Sequence, residues 1–182
     1  MATSPSPIIR GRLTLRLRPA GGGRVLAERR AANTVVQSGA ELVAALFQGS
    51  VTTPIDGMGV GIDPTPAEPP YQADGLTLTA PDGGVVLTRA AVALGAQAVI
   101  TSIDATAFKV RLAITGVLPA DRAVSPDAAV ASVTIGEAAL GVLAADGESL
   151  ARIYNRVVFE PIPKRRDQEL AFFWEVDFPY GA

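Results

Sequence analysis

The chain has 182 residues, 48% of them hydrophobic, and it contains neither cysteine nor histidine. This composition excludes general disorder, disulfides, thiolate nucleophiles, imidazole bases and the usual zinc sites, and leaves carboxylate chemistry or oxygen-ligated Ca²⁺ and Mg²⁺ as options. The net charge of −2 gives no general affinity for nucleic acid or an anionic membrane. No run of about eighteen apolar residues is present. We expect one soluble domain over residues 1–182, made in the cytoplasm, with no cofactor, no metal, no nucleic acid and no membrane contact.

The N-terminal segment predicts an arm followed by a β-hairpin. Residues 1–8 contain two Ser-Pro pairs and predict a flexible or extended arm. Residues 9–18 alternate between apolar and mostly arginine positions, which is the period-2 pattern of a strand with one arginine-covered face. A glycine-rich turn and a second strand over 24–36 complete the hairpin. The arginine face consists of Arg10, Arg12, Arg16 and Arg18.

One short amphipathic helix is predicted over about residues 39–48. Ser38 and Glu41 have the spacing of a capping box, in which the hydroxyl and the carboxylate each satisfy a backbone amide. Gly49 is placed to end the helix in a left-handed cap. The apolar stripe that we expect to pack on a sheet consists of Leu42, Val43, Leu46 and Phe47.

The middle of the chain predicts short strands separated by turns. A short strand over 58–62 leads into a proline-rich loop over 63–75. Further strands are expected at 76–79, 85–92, 98–103, 108–115 and 130–135. The Ala- and Val-rich stretch 90–98 fits a helix as well as a strand. Repeated short strands with turn signals are typical of an antiparallel sandwich or barrel, and we expect a mainly β fold, an antiparallel β-sandwich with one short helix.

The C-terminal part predicts a second hairpin. Its final strand places Leu170, Phe172, Trp174, Val176 and Phe178 on one face and acidic residues on the other. The preceding strand covers 150–160, and Pro161 and Pro163 are expected to end it because proline has no amide donor. The loop between the two strands would then expose Lys164, Arg165 and Arg166.

Sites for chemistry are not indicated by the sequence. The glycine-rich turns at 21–24 and 81–84 lack the lysine and the strand-to-helix context of a phosphate-binding loop. The loop aspartates match no calcium-loop spacing, so no catalytic or metal-binding residue is assigned. Glu137 and Glu148 are the one acid pair weighed for glycan hydrolysis, which needs two carboxyl groups about 5–9 Å apart.

Three segments, in order, resemble a known family. Residues 33–49 run from Asn-Thr-Val-Val into the amphipathic helix, and residues 58–67 read Met-Gly-Val-Gly-Ile-Asp-Pro-Thr-Pro-Ala. Residues 135–164 and the strand containing Trp174 form the third segment. Together they resemble the small β-rich tail and baseplate-associated structural proteins of tailed bacteriophages and phage-tail-like particles. The middle third is unmatched, and the fibrous repeats and metal-binding tips of longer fibre proteins are absent.

The resemblance implies a non-enzymatic virion structural protein located in the tail or baseplate. Capsid decoration, or the base of a head fibre, is the alternative placement. A carbohydrate-binding module or glycan hydrolase is the alternative from another class. Expected partners are other virion proteins and further copies of this chain, with a trimer as one option. The expected assembly residues are Arg10, Arg12, Arg16, Arg18, Lys164, Arg165, Arg166, Pro69, Pro70 and Tyr71.

Overall fold

A computed structural model describes residues 9–66, 68, 71–94 and 98–180. These residues form ten strands and one helix: β1 Arg10–Pro19, β2 Ala27–Val35, α1 Gln37–Gln48, β3 Gly57–Gly61, β4 Ala91–Ala93, β5 Ala98–Asp104, β6 Lys109–Leu118, β7 Ser132–Leu143, β8 Leu150–Ile153, β9 Asn155–Arg165 and β10 Gln168–Pro179. The expectations for the arm 1–8 and for Pro69 and Pro70 lie outside the described residues. No helix in the described part is long and apolar enough to cross a membrane.

The strands form one curled antiparallel sheet. Their order is β4-β3-β7-β9-β2-β1-β10-β6-β5, and β8 pairs with β7. The sheet bends between β2 and β9, which pair only at Thr34–Arg156 and Val35–Asn155. One half, β1, β2, β10, β6 and β5, therefore faces the other half, and both halves contribute to one core. This confirms the predicted mainly β, antiparallel fold with one short helix.

The core rests on the alternation that the sequence shows. Leu13 and Leu15 of β1 are buried and lie opposite Trp174 and Phe172 of β10. Ile135 of β7, on the other half of the sheet, belongs to the same buried cluster. Because successive side chains of a strand point to opposite faces, burial of one face leaves the alternate residues of β1 and β10 on the outer surface.

The helix begins and ends close to the predicted positions, but the capping box is wrong. Val36 is the N-cap and makes no side-chain cap bond, whereas Gly49 has the predicted left-handed conformation with φ 73°. Ser38 is the second residue of the helix. Its hydroxyl lies 3.1 Å from the Ala73 carbonyl oxygen and 3.2 Å from that of Ile153. The Ser38 hydroxyl therefore donates to carbonyl oxygens of neighbouring segments and does not accept from a backbone amide of the helix.

The predicted apolar stripe of the helix is wrong at Phe47, whose surface is 90% exposed. The helix contacts the sheet through Gly39 and Leu42, which are both buried. A Cβ atom on Gly39 would lie only 1.8 Å from the Tyr154 carbonyl oxygen. The helix thus contacts the sheet over a narrow face, at which its backbone approaches the Tyr154 backbone closely, and Phe47 lies outside this face.

The strand predicted at 76–79 is absent, and the one predicted at 85–92 is present only at its end, where β4 begins at Ala91. Residues 76–79 and 85–90 form a loop held by isolated bridges, Thr79 with Val86 and Thr88 with Val124. The ambiguous stretch after residue 90 begins as strand β4, and 95–97 lie outside the described residues. The strand predicted at 130–135 begins at Ser132 and continues to Leu143.

The prediction that Pro161 and Pro163 end their strand is also wrong, because β9 continues to Arg165. The two prolines are exposed and alternate with Ile162 and Lys164, which are buried. Prolines two residues apart direct their missing donors to the same side of a strand, and β9 pairs with β2 only at its beginning. The later part of β9 makes no backbone hydrogen bonds to β2, so this edge tolerates both prolines. The turn between β9 and β10 consists of Arg166 and Asp167 alone.

Candidate interaction surfaces

The predicted arginine face of β1 carries a ladder of ion pairs across neighbouring strands. An Arg12 guanidinium nitrogen lies 2.6 Å from a Glu175 carboxylate oxygen on β10. Arg16 Nε lies 2.7 Å from Glu28 on β2. Arg18 Nε lies 2.6 Å from Glu169 on β10. Each arginine stands directly opposite its acid in the strand register. The ladder fixes the guanidinium groups on the surface.

The ladder extends to β6 through Lys109 and Arg111, which the sequence analysis did not single out. Arg111 Nε lies 2.6 Å from Asp177, and a second Arg111 nitrogen lies 3.1 Å from Glu175. Lys109 Nζ lies 3.3 Å from Asp177. The hydrogen bond from Arg111 holds the pKa of the Asp177 carboxyl down at about 2. Glu175 is thus shared between Arg12 of β1 and Arg111 of β6, and Asp177 pairs with β6 alone.

An open groove of about 560 Å³ lies at the end of this ladder. Its walls carry four arginines, Arg10, Arg12, Arg30 and Arg111, and two acids, Glu175 and Asp177. Small residues, Gly11 and Ala32 among them, form part of its lining. Arg10 has no ion-pair partner among the described residues. Arg12 and Arg111 pair with the two acids, and Arg30 pairs at 2.8 Å with Glu28, which lies outside the lining. Arg10 therefore leaves the groove with a net positive charge, which suits a carboxylate group of an acidic segment, because guanidinium groups bind carboxylates in a forked geometry.

The predicted basic loop is wrong at Lys164, which is only 1% exposed. Its Nζ donates to the Ala120 carbonyl oxygen at 3.0 Å. Arg166 is also bound, donating to the Ser125 carbonyl oxygen at 2.7 Å and the Asp127 carbonyl oxygen at 2.8 Å. Arg165 keeps an exposed side chain. Of the three predicted cations, Lys164 is buried, whereas Arg165 and Arg166 are exposed as predicted.

Stability should depend on pH through Lys164, because burial lowers the pKa of its ammonium group from 10.5 to about 8. Between these values the unfolded chain holds the proton and the folded chain does not, so the free energy of unfolding should rise with pH across this window. Chemical denaturation at several pH values would measure it. The rise should be absent in K164M and retained in K109M.

Burial also raises the pKa of the Tyr154 hydroxyl, which lowers stability at high pH in the wild type and in both variants alike. The difference between the wild type and K164M therefore isolates Lys164. Equal pH profiles for these two proteins would contradict the assignment.

The proline-rich loop contributes Tyr71 to the described surface. Its side chain is exposed and its backbone has φ 60°. The Tyr71 carbonyl oxygen accepts from the backbone amide of Gln37 at 3.2 Å and from that of Ala73 at 3.1 Å. The loop is thus attached at this point to the beginning of the helix.

The candidate acid Glu137 lies in a buried polar cluster. Its carboxylate accepts from Arg156 Nε and, at 2.7 Å, from the Thr77 backbone amide. Arg156 also donates to the Thr65 carbonyl oxygen at 2.8 Å and to Asp63. Glu137 is completely buried, whereas Glu148 lies on an exposed turn. The cluster connects the loop around Asp63 with β7 and β9, and Glu137 has no surface to offer a glycan.

The described residues contain no group of three or more acidic side chains placed to hold a metal ion. Comparisons of the chain with models of protein families, with curated proteins and with solved structures each returned no match.

Proposed function

We propose that this chain is a non-enzymatic structural subunit of a phage or phage-like particle, which acts through protein–protein contacts in the tail or baseplate. The observation that supports contact formation best is the positive groove at the end of the ion-pair ladder. The placement in a particle rests on the resemblance of residues 33–49, 58–67 and 135–164 to tail and baseplate proteins.

The ladder supports binding because it orders the arginine side chains before a partner arrives. A free arginine side chain loses rotamer freedom when it is immobilised, and this loss weakens association. Arg12 and Arg111 are already held by Glu175 and Asp177. An acidic segment that enters the groove would therefore cost the side chains of Arg12 and Arg111 little further rotamer freedom. Arg10 would supply a positive charge that no described acid neutralises.

The copy number of this chain in particles tests the proposal. Quantitative mass spectrometry on gradient-purified particles would compare the chain with the major capsid or tube protein. A few to a few dozen copies per particle is the expected result for a tail or baseplate subunit. Hundreds of copies would instead favour capsid decoration. Absence from the particles would overturn the proposal.

The groove itself is tested by R10Q/R30Q, which removes two groove charges, breaks the Arg30–Glu28 pair within β2 and leaves the pairs between β1, β10 and β6 in place. Each lost charge-assisted hydrogen bond weakens binding, so incorporation into particles should fall at least about tenfold. The matched control is R24Q/R152Q, two arginines outside the groove, and it should incorporate like the wild type. Unchanged incorporation of R10Q/R30Q would remove the groove from the proposed function.

A further inference from the structure

One edge of β7 is only partly covered. On this edge residues 137–141 pair with β3, but no described strand pairs with residues 132–136 there. The described backbone groups outside the strand ladders make no hydrogen bond to these residues either. A β-bulge between Ile135 and Glu137 marks the point where the pairing with β3 stops. β7 therefore has a free edge over 132–136, although the strand lies inside the sheet.

The pairing of β7 with β9 shows which backbone groups point to this free edge. Thr134 lies opposite Pro163, which has no N–H group to donate. The two residues therefore form a non-hydrogen-bonded pair of the antiparallel ladder, and the N–H and C=O groups of Thr134 point away from β9. Ser132 is in the same position, since Arg165 opposite it donates its backbone N–H to the Gln168 side chain at 2.8 Å. The free edge thus presents two donors and two acceptors on residues about 7 Å apart.

A cavity of about 580 Å³ lies along this free edge, and Ser132 and Thr134 both line it. Two further segments line the cavity, residues 62–65 after β3 and the turn at 80–85. Segment 62–65 lies directly against β7, because a Cβ atom on Gly136 would be 3.0 Å from the Pro64 nitrogen. The turn is closed by a backbone hydrogen bond of 2.8 Å from Ala80 to Val85. The free edge therefore borders a recess with two further walls.

The recess combines apolar and hydroxyl side chains and has no free charge among the described residues that line it. Asp63 is the one charged residue of the lining. Its carboxylate accepts from the Thr65 backbone amide at 2.9 Å and from Arg156 at 3.2 Å, so it is already paired. Free edges of sheets are usually blunted by charged residues or proline, and residues 132–134, Ser-Val-Thr, contain neither. Nothing on this stretch of β7 therefore opposes the addition of a strand.

We propose that the recess binds an extended segment of a partner polypeptide, which adds a strand to β7 at residues 132–134. A polypeptide backbone supplies donors and acceptors at the same two-residue repeat, whereas an apolar small molecule would leave the groups of Ser132 and Thr134 unpaired. A cavity of this volume holds about four residues and excludes the edge of a second folded sheet. The side chains of the segment would be uncharged, because Asp63 is paired. The inference does not depend on a role in a particle.

Amide hydrogen exchange of the full-length chain, followed by NMR, is the first test. Without a ligand the Thr134 amide should exchange at least about tenfold faster than those of Val133 and Ile135, which bond to β9. The probe is the acetylated and amidated heptapeptide Gly-Thr-Val-Thr-Val-Thr-Gly. At about 1 mM it should slow exchange of Thr134 at least about fivefold, which corresponds to a Kd near 250 µM. Protection of Thr134 without peptide would show that the same chain covers the edge, and unchanged exchange with peptide would show that no strand is added. Either result would overturn the proposal.

Two substitutions of Thr134 separate the backbone of the free edge from its side chain. T134A keeps the amide and should bind the heptapeptide like the wild type. T134P removes the amide and should raise the Kd at least about tenfold with an unchanged circular dichroism spectrum, because this amide has no described partner within the fold. Equal affinities of T134P and T134A would overturn the proposal. If T134P does not fold, exchange of the wild-type Thr134 amide decides, whereas copy number in particles separately decides the proposed function.

Discussion

Replacing Arg156 with methionine is expected to lower the free energy of unfolding by roughly 3–5 kcal/mol, the usual effect of removing one partner of a buried ion pair. The variant would leave the Glu137 carboxylate buried with only the Thr77 amide as its partner. It would also remove the donors of the Thr65 and Asp63 carbonyl oxygens and so release this loop from the sheet. Urea denaturation followed by circular dichroism would measure the loss.

Arg12 provides the matched control, since it makes an ion pair of similar geometry with Glu175 on the exposed outer face. R12M should lose less than about 1 kcal/mol, because solvent screens exposed pairs. The double variant E137M/R156M removes both buried charges and should be more stable than R156M. If R156M and R12M lost the same free energy, the buried cluster would not have the stabilising role inferred here.

Replacing Gly39 with alanine should destabilise the fold by about 3 kcal/mol or more, as severe overpacking does. The added Cβ atom would overlap the Tyr154 carbonyl oxygen, which belongs to the backbone and has no rotamer by which to move away. The helix would have to shift from the sheet, and the contacts of the Ser38 hydroxyl with Ala73 and Ile153 would be lost with it. Thermal unfolding and hydrogen exchange of the helix amides would measure both effects.

Gly75 is the matched control for this substitution. A Cβ atom there would have nothing within 4 Å, and Gly75 does not have positive φ. G75A should therefore be neutral or slightly stabilising, since alanine reduces the conformational entropy of the unfolded chain. Equal stability of G39A and G75A would mean that the close contact between the helix and Tyr154 is not needed.

The hairpin β1–β2 and the last strand were predictable because their alternation is strict. One buried face and one polar face determine a strand without reference to its neighbours, as at Leu13 and Trp174. The helix was predictable in extent from its cap at Gly49. The roles of Ser38 and Phe47 were not, because they depend on where the helix meets the sheet, and that contact joins residues more than 100 positions apart.

The charged surface was only half predictable for the same reason. The sequence shows arginines on one face of β1 and acids on one face of β10, but the pairing of Arg12 with Glu175 depends on strand order and register. Lys164 was misplaced because prolines usually interrupt a strand, whereas β9 has an open edge that accepts them. No local signal marks Arg156 as the partner of Glu137, although an arginine within an apolar strand is itself a reason to look for a buried acid.

The position of β1 between β2 and β10 has a consequence for folding during synthesis. β10 is the last described strand to leave the ribosome, and Arg12 and Glu175 are 163 residues apart. At ordinary rates of translation, about 5–20 residues per second, Arg12 must wait roughly 8–33 s for this neighbour. Until then β1 pairs only with β2. The edge of β1 that will pair with β10 is unpaired in the nascent chain, and its apolar face, with Leu13, Leu15 and Leu17, is exposed. The sheet can therefore close only after β10 has been synthesised, and in that interval chaperones and aggregation compete for β1.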